Sequence, residues 1–290
     1  MCAKHIAKTG SVLILEKQPQ LAAKVKISGG GKCNFTNLGV SANNYLCTNP
    51  HFVKSALARF TPQDIIKILQ QNHIKYEERQ NQQMFAFSAQ EIADMLLKQC
   101  LEKNVKIQTK CLIESVEKNN DIFKIETNFG CYTCDNLIVA TGGVSYPKIG
   151  ATDFGYKIAR QFGHKIINPR PALVGLTALP NLRNFCSDLA GVSVPVIITI
   201  GKKKIARDLL FTHLGISGPA VLIASLYWQS GQTFYIDFLN GQSLDDLLQQ
   251  QNKKAISQII SNVLPSNFAK KIVGDLDCKI ENLSNKNKQL

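Results

Sequence analysis

Residues 28–37 read SGGGKCNFTN, and this glycine-rich stretch carries the most information about the fold. Three consecutive glycines allow backbone N–H groups to approach an anion closely. The stretch is not a Walker A loop, because the first glycine of that motif is missing and Cys33 stands where the motif has a hydroxyl residue. We therefore expect an anion-binding loop, with a flexible turn as the alternative. Side chains that add donors to such a loop are Ser28, Lys32, Thr36 and Asn37.

Two apolar runs, one on each side of this loop, are typical of strands buried on both faces of a parallel sheet. The first, residues 11–15 (SVLIL), ends in Glu16, and the second, residues 136–140 (NLIVA), opens into Thr141-Gly142-Gly143. In dinucleotide-binding folds, an acidic residue at a strand end accepts hydrogen bonds from ribose hydroxyls, and ligands bind at the carboxyl ends of the strands. Together with the loop, these runs predict an α/β fold with a parallel sheet and a dinucleotide site.

Turn and cap signals divide the rest of the first part into short elements. Residues 61–72 open with Thr-Pro and predict a helix, and Ser88 with Glu91 is a capping box for the next helix. Residues 1–9 are helix-like and end at Gly10, a natural C-cap. Short β-like runs follow at 105–109, 112–117, 122–127 and 131–134.

The pattern changes after Pro169 and Pro171, so we expect a domain boundary near residue 170. The runs 192–200 and 204–210 predict a β-hairpin whose tip carries Lys202-Lys203-Lys204. The polar tail from Asp277 is expected to have little regular structure. Between the hairpin and this tail, the sequence predicts a helix from Ser217-Gly218-Pro219 to about residue 228 and a strand at 234–238. It also predicts helices from residue 243 onward that Pro265 interrupts.

Of the 290 residues, 44% are hydrophobic and 19% are charged, which is the composition of an ordinary globular protein. This composition excludes a disordered or collagen-like chain. No apolar run approaches the length of a membrane-spanning helix, and the N-terminus lacks a signal-peptide core, so we expect a cytoplasmic protein with no membrane partner. The nine cysteines show no framework spacing and are expected to be reduced. The closest pair, Cys131 and Cys134, has no second pair to complete a zinc site, so we predict no metal.

The net charge of +13 raises nucleic acid as a partner. The lysines are dispersed along the chain, however, and arginine, the usual reader of bases, is scarce. The charge by itself therefore favours a solvated surface over a nucleic-acid interface.

Three motifs together resemble one family of bacterial proteins. They are LEKQPQLAAKVKISGGGKCNFTN at 15–37, LIVATGGVSYPKIGATDFGY at 137–156 and LLFTHLGISGPAVL at 209–222. With them the chain is similar to the BaiN-like NAD(P)/FAD-dependent oxidoreductases, also called the aminoacetone oxidase family. The resemblance implies a glutathione-reductase-type FAD-binding domain over residues 1–170 and an inserted α+β domain over residues 171–290. It also implies FAD as cofactor, NAD(P)H as reductant, and hydride transfer to or from a small organic substrate.

The resemblance further assigns cofactor contacts to positions of this chain. Glu16 would hold the adenosine ribose, and Lys17 is also assigned to the cofactor-binding residues. Ile113 would lie on the strand that borders the adenine. The glycine turn of Thr141, Gly142 and Gly143 would close over the cofactor. The pyrophosphate and flavin would be lined by Lys24 and by the loop residues Ser28, Gly29, Gly30, Gly31, Lys32, Asn34, Thr36 and Asn37.

The chain departs from the family pattern at both ends. Glu16 has 15 residues before it, with Gly10 as their sole glycine, so the GxGxxG fingerprint and the first strand are missing. Family members also continue past the equivalent of Leu290, and we expect the sequence to be an interior piece of a longer enzyme. Two alternatives stay open: a non-catalytic fragment, and a flavin-dependent RNA-modifying protein, which the basic charge would suit.

Two residues are candidates for catalysis. His213 belongs to the third motif and would act as an acid or base toward the flavin and substrate. The alternative is a structural histidine near a helix cap. Cys33 would lie beside the flavin as a redox thiol, and its alternative is a small buried residue in a packed loop.

Overall fold

The computed structural model describes residues 1–249, 254–274 and 277, and the chain divides into two units, Met1–Ile167 and Asn168–Leu290. Apart from Asp277 itself, the predicted polar tail lies outside the described residues. The elements of the first unit are α1 (Cys2–Ile6), β1 (Leu13–Leu15), α2 (Ala23–Ile27), β2 (Asn34–Asn37), α3 (Lys54–Arg59), α4 (Pro62–Gln71), β3 (Tyr76–Arg79), β4 (Gln83–Ala86), α5 (Ala89–Leu101), β5 (Lys106–Gln108), β6 (Ile113–Asn119), β7 (Ile122–Thr127), β8 (Gly130–Cys134) and α6 (Phe154–Gln161).

The elements of the second unit are β9 (Leu176–Thr177), α7 (Pro180–Asp188), β10 (Ser193–Ile200), β11 (Lys203–Thr212), β12 (Gly215–Ser217), α8 (Gly218–Tyr227), β13 (Tyr235–Asp237), α9 (Leu244–Gln249), α10 (Ile256–Ile260) and α11 (Ser266–Val273). Within the described part of the chain, no helix is long and apolar enough to cross a membrane.

The strand predicted at residues 11–15 forms as β1 and pairs in parallel with β5, Leu13 opposite Lys106 and Leu15 opposite Gln108. This pairing confirms a parallel strand before Glu16. Burial on both faces is wrong, since Leu13 is 38% exposed. The physical reason is that β1 has one neighbour among the described strands, and a two-stranded sheet offers little surface to cover.

The prediction of a second buried strand at residues 136–140 is also wrong. The segment has no strand structure, and Ile138 is 56% exposed. The apolar β-branched sequence favours a strand, but strand structure requires hydrogen bonds to a neighbouring strand, and none of the described strands pairs with this segment. The glycine turn that follows is therefore held by contacts other than a sheet.

The predicted helix starts are confirmed by their caps. Thr61 caps α4, because its hydroxyl accepts from the Asp64 N–H while the Asp64 carboxylate accepts from the Thr61 N–H, and Pro62 is the first helical residue. Ser88 caps α5 by accepting from the Glu91 N–H. Gly10 is not the C-cap of α1, because that helix ends at Ile6 and Ala7 caps it.

Two antiparallel three-stranded sheets complete the first unit, one in the order β2-β4-β3 and one in the order β6-β7-β8. The first sheet packs with α4 and α5 around a core that includes Leu69, Ala86 and Ile92. The second packs with α6 around Val116, Ile125 and Ile158. The Cys131–Cys134 pair lies on β8, which confirms the strand predicted there.

The second unit is built on an antiparallel sheet in the order β13-β10-β11-β12-β9. The predicted hairpin is confirmed: β10 and β11 pair over their length, with Val194 opposite Leu209 and Ile198 opposite Ile205. Alternate residues of β10 are fully buried, as a sheet with one covered face requires. The core beneath it contains the clustered rings of Phe185, Phe211, Phe238 and Phe268.

Candidate functional site

The loop at residues 28–37 begins with a tight turn over Ser28–Gly31 in which the glycines take left-handed backbone angles. Gly29 has φ 56° and Gly30 has φ 67°, values that glycine adopts without the steric cost other residues incur. Successive backbone N–H groups in turns of this kind form an anion-binding concavity. A Cβ on Gly30 would meet no atom within 4 Å, so the surface of this turn is open to a ligand.

Beside the turn lies a cavity of about 670 Å³, which belongs to the first unit. Its apolar wall is formed by Ile65, Leu69 and Ile92 from α4 and α5. Its volume and its mostly apolar lining with a few polar groups are those of a site for a small molecule or cofactor. The residues of the predicted site that line it are Lys24, Ser28, Gly29, Gly30, Cys33 and Asn34.

Lys24 connects this cavity to the segment that follows the glycine turn at 141–143. Its Nζ donates a hydrogen bond to Ser145 Oγ at 2.9 Å and lies 5.9 Å from the centre of the Tyr146 ring. The structure therefore brings two of the three sequence motifs together. Tyr146 itself lines the cavity, and the sequence analysis missed it. The signal available was a tyrosine before proline within the second motif.

Thr141, Gly142 and Gly143 lie against the start of α6 and are not among the cavity-lining residues. A Cβ on Gly155, in the first turn of that helix, would lie 2.8 Å from Thr141 Oγ1, so the helix approaches the turn closely. Thr141 and Gly142 are exposed, and Gly143 is half-buried. The place of this glycine turn over a cofactor stays a prediction.

Glu16 is half-buried and directly follows β1, where a ribose-binding acid is expected. Its Oε1 accepts from the Gln18 N–H at 2.7 Å, which orients the carboxylate at the strand end. Lys17 beside it is exposed. Ile113 begins β6, is half-buried, and packs against the core of the β6-β7-β8 sheet.

The polar residues after the glycines have different surroundings. Lys32 is exposed, and Thr36 is half-buried on β2. Asn37 is engaged within the protein: its Nδ2 donates to the Asn81 carbonyl at 2.8 Å, and its Oδ1 accepts from the Gly39 N–H at 2.8 Å. Asn37 therefore fixes the end of β2, while Lys32 keeps its charge in solvent.

The two catalytic candidates differ in exposure. Cys33 is 6% exposed, and burial raises the pKa of its thiol above 9.0 although a hydrogen bond with Ser28 acts in the opposite direction. A raised pKa disfavours the reactive thiolate, and this favours the packed-loop interpretation. His213 is exposed, in the connection between β11 and β12 of the second unit.

Comparison with known proteins places this site in a family. The family model described as "HI0933-like protein Rossmann domain" matches residues 1–274. The chain belongs to this family. The match confirms the resemblance to the BaiN-like FAD-dependent oxidoreductases that the three motifs indicated, and with it the Rossmann-like α/β fold.

Two similar relatives are each named "Ribosomal RNA dihydrouridine synthase". The protein from Haemophilus influenzae is 42% identical over 279 residues, which cover 94% of this chain and 69% of that protein. The protein from Escherichia coli is 41% identical over 264 residues, covering 90% of this chain and 66% of that protein. This chain thus spans about two thirds of their length.

A more distant relative carries a different name. The "3-dehydro-bile acid delta(4,6)-reductase" of Clostridium scindens is 26% identical over 227 residues, which cover 76% of this chain and 54% of that protein. The relatives of this chain therefore include proteins named for acting on an RNA and on a small organic molecule.

Proposed function

We propose that this protein acts as an FAD-dependent reductase that converts uridine to dihydrouridine in ribosomal RNA. The observation that carries the proposal is the 42% identity, over 94% of this chain, to the ribosomal RNA dihydrouridine synthase of Haemophilus influenzae. This was the RNA-modifying alternative in the sequence analysis. The net charge of +13 supports it, because phosphate neutralisation by lysine and arginine dominates affinity for RNA.

The names of the relatives refer to substrates with the same kind of reducible bond. Dihydrouridine differs from uridine by two hydrogens across the C5–C6 double bond, which is conjugated with the C4 carbonyl. A 3-dehydro bile acid with a double bond at position 4 likewise has an alkene conjugated with a ketone. When a bond of this kind is reduced by hydride transfer, the hydride adds to the carbon β to the carbonyl and a proton adds to the α carbon. The proposed reaction is therefore reduction of a conjugated carbon–carbon double bond.

The residues of the loop fit the pyrophosphate of FAD. The left-handed glycine turn leaves open space where a Cβ on Gly30 would project, and an anion approaching the backbone requires such space. Lys24 lines the same cavity and Lys32 lies two residues after Gly30, so two positive charges accompany the turn. Bound FAD would supply the hydride, and this chain's residues would hold and orient the cofactor.

NAD(P)H is proposed as the electron donor that returns the flavin to its reduced form. The uridine reduction consumes one hydride and one proton, so a two-electron donor is required for every turnover.

The test uses the protein as given, expressed in a flavin-replete host, and a matched pair of glycine variants. Gly30→Ala places a methyl group in the proposed pyrophosphate cradle. Gly163→Ala is the control, since Gly163 also has a positive φ and open space around its Cβ position but lies after α6. Wild type and the control are expected to show flavin absorption, and Gly30→Ala is expected to lose it. A Gly30→Ala protein with as much FAD as the control would contradict the cradle.

The second measurement tests the substrate. In vitro transcribed bacterial ribosomal RNA is incubated with NADPH or NADH, and dihydrouridine is measured by mass spectrometry of the nucleosides. Dihydrouridine that depends on protein and reductant would support the proposal. Flavin-loaded protein that oxidises NAD(P)H with a conjugated ketone but leaves ribosomal RNA unmodified would favour the second candidate, a small-molecule reductase. The 26% identity to the bile-acid reductase is the observation behind that candidate. Protein without flavin would favour the non-catalytic alternative.

A further inference from the structure

Tyr146 is not among the residues that were assigned to the cofactor. It lines the cavity beside the glycine turn, yet the residue is 62% exposed. A large aromatic side chain at a cavity wall normally buries its ring, because burial of aromatic surface is strongly favourable. An aromatic ring that is left mostly in water at the border of a cavity is available to a ligand that enters from solvent.

The backbone at Tyr146 is held against its intrinsic preference. The residue has φ 62° and ψ 62°, in the left-handed region that bulky residues avoid, and the next residue is Pro147. A residue before proline is normally extended. Unfavourable backbone geometry of this kind persists where surrounding contacts enforce it, and it is concentrated at ligand sites.

Lys24 contacts both Tyr146 and the residue before it. Its Nζ hydrogen-bonds Ser145 Oγ, the neighbouring residue, and lies over the Tyr146 ring at 5.9 Å from the centroid. The end of the same segment is also fixed, because the Gln18 side chain fills the space beside Gly150. The lysine charge therefore lies beside the ring at the border of the cavity.

We propose that Tyr146 stacks against the uracil base of the nucleotide that is reduced. The inference rests on the proposed function. A protein that modifies a base in RNA must take that base out of its stack and hold it in a pocket, and aromatic side chains are the usual partners of a splayed-out base. Tyr146 provides such a ring where a nucleotide enters from solvent, beside the cavity that the glycine turn borders.

The test separates the tyrosine ring from the backbone it occupies. Tyr146→Phe keeps a ring and is expected to behave as wild type. Tyr146→Ala removes the ring, and Tyr146→Gly removes it while accepting the left-handed backbone without strain. Tyr45→Ala is the matched control, because Tyr45 is 45% exposed in the same unit and does not line the cavity.

The first readout is binding and not activity. Fluorescence anisotropy compares a labelled oligouridylate with an oligonucleotide of the same length and backbone in which one uracil is absent. Wild type, Tyr146→Phe and Tyr45→Ala are expected to prefer the intact oligonucleotide, and Tyr146→Ala and Tyr146→Gly are expected to lose roughly tenfold of that preference. The second readout is flavin stoichiometry by visible absorption, which should be equal in all five proteins.

Two results would overturn the assignment. One is an unchanged preference for the intact oligonucleotide in both ring-deleted variants. The other is loss of FAD from those variants with the preference retained, which would assign the ring to the cofactor. Failure of the proposed function gives a different result, because wild-type protein would then form no dihydrouridine in ribosomal RNA. A wild type that forms dihydrouridine, together with ring-deleted variants that bind like it, refutes the stacking role alone.

Discussion

Lys24 and Ser145 are 121 residues apart in the sequence, and a 2.9 Å hydrogen bond from Lys24 Nζ to Ser145 Oγ joins them. Lys24 lies on α2, just before the glycine turn at 28–31, and Ser145 follows the pair of glycines at 142–143. The bond fixes the second motif beside the first. It also places a lysine charge at the cavity that borders the turn.

Replacing Lys24 tests whether that charge supports the cofactor. We expect Lys24→Met to raise the Kd for FAD by roughly tenfold or more, because a hydrogen bond to a charged group contributes about 1.5–3 kcal/mol. Lys26→Met is the control, since Lys26 lies on the same helix but does not line the cavity. The Kd is measured by flavin fluorescence during titration of the apoprotein. Equal values for the two variants would show that Lys24 has no part in binding FAD.

Gly29 is expected to be required for stability, in contrast to its open neighbours. A Cβ there would lie 2.7 Å from Phe85 Cε1 and 2.9 Å from the Asn34 nitrogen. Gly29→Ala should lower the free energy of unfolding by about 2–4 kcal/mol, the sum of left-handed backbone strain and overpacking. Gly31→Ala meets no atom within 4 Å and should incur the backbone part alone. Urea unfolding followed by circular dichroism measures the difference, and similar losses in the two variants would refute the packing explanation.

Cys33 is expected to resist alkylation. Its thiol is buried, and burial raises its pKa above 9.0, so at neutral pH the reactive thiolate is scarcer than in an ordinary cysteine. Cys47 is exposed and provides the internal comparison. Brief treatment with iodoacetamide followed by peptide mass spectrometry should find Cys47 modified and Cys33 intact. Rapid modification of Cys33 in folded protein would revive its interpretation as a reactive thiol.

The capping box of α4 is expected to make stability depend on pH. The Thr61 backbone N–H and then its hydroxyl donate to the Asp64 carboxylate and hold the pKa of that group below 3.8. A carboxyl whose pKa is lower in the folded protein than in the unfolded chain stabilises the folded state above pH 3.8. This contribution is lost as the pH falls through the lowered pKa.

Asp64→Asn should therefore unfold at a lower urea concentration than wild type at pH 7, and the difference should shrink below pH of about 4. The matched control is Asp121→Asn, since the Asp121 carboxylate faces Lys118 at 3.8 Å in an exposed turn. Exposed ion pairs contribute little, so this variant should differ less from wild type. An Asp64→Asn midpoint that shows the same difference from wild type at every pH would contradict the cap as its source.

The sequence by itself determined the elements that depend on local chemistry. The caps at Thr61 and Ser88, the hairpin of β10 and β11, and the left-handed glycine turn follow from residues that are close in sequence. Such elements are encoded by neighbouring donors, acceptors and backbone freedom, and these are readable from a few positions. The motifs likewise identified the family, since they are defined by residue types at fixed spacing.

Only the tertiary structure decided what depends on distant partners. Residues 136–140 have the composition of a buried strand, yet they form none, because a strand exists through hydrogen bonds to a neighbour that composition does not supply. The bond between Lys24 and Ser145 and the exposure of Tyr146 at the cavity were equally hidden. They arise when segments far apart in the chain meet, and a local pattern holds no information about which segments do so.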